Sequence, residues 1–195
     1  MGGASVSGRR STIKRLLLVA ALLFGVRLQA QAPMGESEVK AMFVYNFLKF
    51  VEWPLDLSVG LKDPFVVLII GEGATADAAE RFLESKAIGT RPLVVGRTQW
   101  NQSLAGARAV FVLERDPRKL RHILDAAATA GVLSIGEGEA FTTRGGVITL
   151  LVEDRKVRFD VDTTAAQNAR LRISSKLLAL TRSVRSATDR SGSQQ

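Results

Sequence analysis

The chain of 195 residues contains no cysteine. Disulfides, thiolate metal sites and thiol nucleophiles are thereby excluded, and the core alone must hold the fold. Histidine occurs once, at His122. It lies in a stretch that reads as a helix and is expected on that helix's surface. One histidine without cysteine cannot build a zinc site of the usual kind. No serine-centred elbow, P-loop or metal-ligand spacing is present. "GEG", Gly71 to Gly73, falls between a strand and a helix, where phosphates can bind. A dinucleotide fingerprint needs a third glycine, and position 76 is Ala76. "GEG" therefore reads as a tight turn. Nothing here points to an enzyme, a cofactor or a metal.

Acidic residues are missing from the first thirty positions, which carry Arg9, Arg10, Lys14, Arg15 and Arg27. A basic cluster is followed by "LLLVAALLFGV", Leu16 to Val26, and then by small Ala30 and Ala32. That order predicts a secretory signal peptide over residues 1–30, cut near Ala30. The apolar run of 11 residues falls short of the roughly 20 that span a bilayer. The precursor's net charge of +8 owes much to this segment; without it 22 basic and 19 acidic residues leave +3. Basicity is therefore no argument for nucleic acid. The expected location is the periplasm.

What is present then alternates. "VYNFLKFVEWP" closes an apolar-striped segment from about Ser37 to Trp53, which predicts a helix ended by Pro54. "PFVVLIIG", "RPLVVG", "ARAVFVLE" and "VLSIGE" read as buried strands. Thr75 is placed to cap a helix after the first of them. Asp116, Pro117 and Gly131 are start and stop signals for another. "GGVITLLV" and "KVRFDVD" flank the turn "EDRK" and alternate as an antiparallel hairpin does. Asp160 and Asp162 fall on one face with Arg158, which reads as an exposed ion-pair face. Helical stretches "TTAAQNA" and "SSKLLALTRSV" follow. The pattern predicts a single α/β domain: a mixed, mostly parallel sheet of about six strands with a C-terminal antiparallel hairpin and helices on both faces. Residues 185–195 read as a disordered tail.

Three sets of residues are candidates. Asn46 on the aromatic stripe, Lys49 and Trp53 could rim a small-ligand pocket; Lys49 could instead pair with Glu52. Leu171, Ile173 and Lys176 flank a helix start and could meet a partner. Gly145, Gly146 and Pro54 are structural, the glycines allowing a positive φ or a bulge at a strand start.

"YNFLKFVEWP", "RPL" at Arg91, "VLSIGE" at Val132, Phe141 followed by "RGGVITL", "VRFDVD" and "SSKLLALT" resemble the YfiR family in order and separation, over residues 38–184. The resemblance implies a periplasmic, non-enzymatic regulator that binds and represses the periplasmic sensor region of an inner-membrane diguanylate cyclase, and so controls cyclic di-GMP and biofilm formation. Its partner would be that cyclase or another membrane receptor, with a homodimer left open. A small-ligand sensor serving another receptor is the alternative. Family members can carry disulfides, which this chain cannot form. Asp162 stands where the pattern has Asn, and either can cap a helix.

Overall fold

The computed structural model describes residues 34–53 and 63–186. The expected signal peptide, Pro54 and residues 187–195 lie outside the described residues. The chain runs α1 (Glu36–Lys49), β1 (Val51–Glu52), β2 (Phe65–Ile70), α2 (Ala74–Glu84), β3 (Ala87–Ile88), β4 (Arg91–Thr98) and β5 (Ala109–Val112). It continues α3 (Pro117–Ala130), β6 (Leu133–Glu137), α4 (Glu139–Thr143), β7 (Ile148–Glu153) and β8 (Lys156–Asp162). It ends α5 (Thr163–Asn168), β9 (Arg172–Ile173), α6 (Ser175–Leu178) and β10 (Ser183–Arg185).

Eight strands form one sheet in the order β10-β8-β7-β6-β5-β2-β4-β3, and β1 pairs separately with β9. The middle of the sheet, from β4 through β2, β5 and β6 to β7, is parallel. β8 returns antiparallel to β7, as the alternation of "KVRFDVD" requires. The sheet thus has two strands more than the six legible beforehand. Both additions are short edge strands: β3 has two residues and β10 three.

Apolar faces explain the layering. Phe65, Val67 and Ile69 of β2 join a core with Ala76, Ala79 and Leu83 of α2 and Val44, Phe47 and Leu48 of α1. On the opposite face Ile70, Val110 and Val112 meet Leu120, Ile123 and Ala127 of α3. The stripe of "VYNFLKF" is packed: Phe47 is 1% exposed, with its ring 4.9 Å from Phe159. Burial on this scale is worth about 1.5–3 kcal/mol per large apolar side chain. α3 begins and ends as its sequence demands. Asp116 accepts from the N–H groups of Arg118 and Lys119, Pro117 opens the first turn, and Gly131 closes the helix in a left-handed conformation.

Four local expectations are corrected. The first helix stops at Lys49, short of Trp53, because Val51 and Glu52 pair with Ile173 and Arg172. Ser174 N–H also donates to the Phe50 carbonyl at 3.0 Å. Glu52 consequently sits 3.9 Å from Arg172 and does not pair with Lys49. Thr75 does not cap α2; Gly73 holds that place, and the Thr75 hydroxyl meets that of Ser37 at 3.1 Å. "SSKLLALTRSV" is helical only through Leu178, and its end, with Arg185, becomes β10 beside β8.

That added edge strand accounts for a fifth correction. Asp160 and Asp162 are each 3% exposed rather than wet. Arg182 clamps Asp160 in a two-pronged pair, with Nε to Oδ1 at 2.8 Å, and also reaches Glu153. Asp162 accepts from Ala165 N–H at 2.7 Å and caps α5.

"F…RGG" has a steric reason. The Phe141 ring is buried between Gly136 and Gly146. A Cβ on Gly136 would lie 2.4 Å from Phe141 Cδ2, and one on Gly146 2.0 Å from Cε1. Gly145 takes φ 88°, where a side chain would be strained.

Candidate functional site

The strand order creates the principal crevice. From β2 the chain leaves over one face of the sheet into α2; from its neighbour β5 it leaves over the other into α3. Where adjacent parallel strands send their helices to opposite faces, their carboxyl ends are left uncovered, which is where open α/β sheets hold ligands. Two cavities adjoin there. One of 260 Å³ is lined by Glu72, Thr75, Leu113, Glu114, Arg115 and Glu137, among others. The other, of 610 Å³, is lined by Arg97, Gln99, Trp100 and Gln102 and shares Glu72 and Glu114 with the first.

Its charged walls are mostly engaged. Arg97 bonds Glu80 and Asp77, each at 2.7 Å, and these carboxylates hold its guanidinium above the usual arginine range. The N–H groups of Asp116 and Arg115 and the Lys119 ammonium hold the Glu114 carboxyl below the usual carboxylate range, against the effect of burial. Lys40 of α1 reaches in beneath the crevice. Its side chain is 7% exposed and bridges Glu36 at 2.6 Å and Glu137 at 3.1 Å. Burial lowers the affinity of Lys40 for its proton, but the bonds and charges of the two glutamates outweigh this, and the net shift is upward. Glu137 Oε1 is buried without a hydrogen-bond partner among the described residues. Trp100 is 38% exposed, its ring centre 5.5 Å from that of His122 with the two planes nearly perpendicular. His122 is on the helix surface, as expected.

A second concavity of 340 Å³ lies by the β8–β10 edge, lined by Phe43, Val157, Phe159 and Leu180 with Arg158 and Arg182. Leu180 is 69% and Val184 42% exposed there.

The residues expected from sequence fall as follows. Asn46 is half-buried on α1. Lys49 is exposed, its ammonium 4.5 Å from the centre of the Tyr45 ring. Trp53 is half-buried, donates Nε1–H to the Arg108 carbonyl at 3.1 Å and meets Phe65 edge-on at 5.1 Å. Each of these contacts goes to a different neighbour. Leu171 is 2% exposed and belongs to the core, so it supports a surface rather than forming one. Ile173 is half-buried in β9, and Lys176 is exposed on α6. The carboxyl-end crevice was not anticipated. "GEG" was the signal that could have found it, since Gly71 and Glu72 form its rim. Among the described residues no group of three or more His, Cys, Asp or Glu could hold a metal ion.

Fold and crevice together define a three-layer α/β domain, helices on both faces of a sheet with a parallel centre and an antiparallel β7–β8 pair toward one edge. The chain belongs to the YfiR/HmsC-like family, whose model matches residues 37–182. A crystal structure of a conserved domain protein from Vibrio cholerae O1 biovar El Tor is similar in fold, with a TM-score of 0.52 and 14% identity. The match covers 78% of this chain and 61% of that one. No curated protein matches the chain. Among the described residues no helix is long and apolar enough to cross a membrane.

Proposed function

We propose that this protein is a non-catalytic periplasmic regulator that binds and represses the periplasmic sensor region of an inner-membrane diguanylate cyclase. The observation that carries the reading is the family match across residues 37–182, nearly the whole described domain. The leader-like first thirty residues agree with export. The docking face runs along the C-terminal segment, through Ile173 and Lys176 to the groove at Phe43, Phe159 and Leu180. It ends at the short edge strand β10. An apolar groove with Arg158 among its lining suits a partner segment with apolar anchors and an acidic flank. Among the described residues β10 is the outermost strand of the sheet, and its edge can accept a further strand.

The test is binding of the mature protein to the sensor domain of a cyclase encoded beside it, measured by calorimetry. Leu180→Asp alters an exposed side chain, so the thermal midpoint should hold while affinity falls about tenfold or more. Full-strength binding by Leu180→Asp would remove the groove from the interface. Absence of binding by the unmodified protein would count against the regulator reading itself.

A second reading, a small-ligand sensor, is favoured by the carboxyl-end crevice.

A further inference from the structure

We infer that this protein forms a weak homodimer by antiparallel pairing of β4 with the β4 of a second copy, joining the two sheets edge to edge. An uncovered strand is the first argument. β4 has 8 residues, and β3 pairs only with Arg91 and Pro92. Leu93 adds one bond, its N–H donating to the Lys86 carbonyl at 3.0 Å. From Val94 to Thr98 no strand among the described residues covers that edge. Backbone groups alternate in direction along a strand, so those of Val95 and Arg97 face the same side as Leu93 N–H. Their N–H and C=O groups therefore point outward.

The usual protections of an edge are missing there. Proteins keep edges apart with projecting charges, proline or bulges. Pro92 lies in the covered part. Arg97, the one charged residue from Val94 to Thr98, is folded back onto α2 by Asp77 and Glu80. Leu93 and Val95 face α2 as well. The opposite face carries Val94, which is 47% exposed, then Gly96 and Thr98.

The order of residues along this edge selects a second copy as its occupant. With the two-fold axis at Gly96, Val95 meets the partner's Arg97 and Arg97 meets the partner's Val95. Every outward N–H of these residues then finds a carbonyl across the axis. Gly96 faces the partner's Gly96 in a pair without hydrogen bonds, where Cα atoms approach to about 4.5 Å and side chains crowd most. Glycine leaves that contact open. Val94 is covered by the partner's Thr98, and the two arginines never stand opposite each other. β4 lies toward the end of the sheet away from β10. The dimer thus leaves the proposed docking face open, and either reading can fail without the other.

Sedimentation equilibrium of the mature protein should show monomer and dimer exchanging with a Kd of about 100 μM or tighter. Val94→Lys alters an exposed side chain; it should hold the thermal midpoint and weaken dimerisation about tenfold or more. Because the chain has no cysteine, a single introduced one reports the register. A Cβ on Gly96 meets only the tip of Leu68, at 3.3 Å. Gly96→Cys should therefore cross-link two copies under mild oxidation, since Cα atoms about 4.5 Å apart suit a disulfide. Val94→Cys, which faces the partner's Thr98, should not. A protein that stays monomeric up to about 1 mM would overturn the inference and leave the edge to a strand of another protein. So would a dimer indifferent to Val94→Lys, or one that cross-links as readily through Val94→Cys as through Gly96→Cys.

Discussion

Replacing Gly146 with alanine is expected to lower the stability of the domain by about 3 kcal/mol, the upper part of the range for overpacking a core. In a domain of this size that corresponds to a fall in Tm of about 6–12 °C. The new methyl carbon would lie 2.0 Å from Phe141 Cε1, inside any contact that real side chains tolerate. The ring cannot retreat, because Phe141 is 1% exposed and Gly136 backs its other side. Gly146 is not in the left-handed region, so the cost is steric rather than conformational. That distinction is measurable. Shortening the ring with Phe141→Leu in the same chain should recover part of the loss, and the double variant should be more stable than the two single losses added. Urea unfolding of the four proteins checks it. A Gly146→Ala loss below about 1 kcal/mol would mean that the ring yields freely.

Lys40→Met is the second large effect. The buried ammonium joins α1 to the carboxyl end of β6 through Glu137, while Glu36 on the other side is more than half exposed. Removing one partner of a buried pair costs about 3–5 kcal/mol, because the other charge stays buried without compensation. Glu137 keeps some exposure, so the lower end, about 3 kcal/mol, is expected. Adding Glu137→Gln to Lys40→Met should restore most of it, since a neutral amide has no charge to strand. Failure of the double variant to regain stability would show that the loss does not come from a stranded Glu137 charge. The pH behaviour has a defined sign. Folding raises the proton affinity of Lys40, so its contribution is complete below lysine's ordinary value and is lost only as pH climbs through the raised one.

These residues also show where sequence is sufficient and where it is not. α3 was legible to its ends, because Asp116, Pro117 and Gly131 act on their own helix and need nothing distant. The buried strands were legible because "FVVLII" and "AVFV" are apolar on both faces, which a sheet covered on both sides demands. Long-range partners were not legible. Val51 looks helical until Ile173, from the far end of the chain, offers a strand. Asp160 looks exposed until Arg182 and β10 cover it. The crevice was hidden for the same reason. Glu72, Glu114 and Glu137 are far apart in sequence, and only the order of β2, β5 and β6 makes them neighbours. "RGG" was read as a strand opening with freedom of φ; the Phe141 ring that forbids a side chain at Gly146 emerged only from the packing.

Cyclic di-GMP in cells is the most direct measure of the proposed regulation. A strain lacking the gene should contain several-fold more of the dinucleotide than its parent. Re-expressing the unmodified protein should return the level to normal. Leu180→Asp, present in equal amount in the periplasm, should fail to do so. An unchanged level in the deletion strain, with a membrane cyclase present and expressed, would contradict the account.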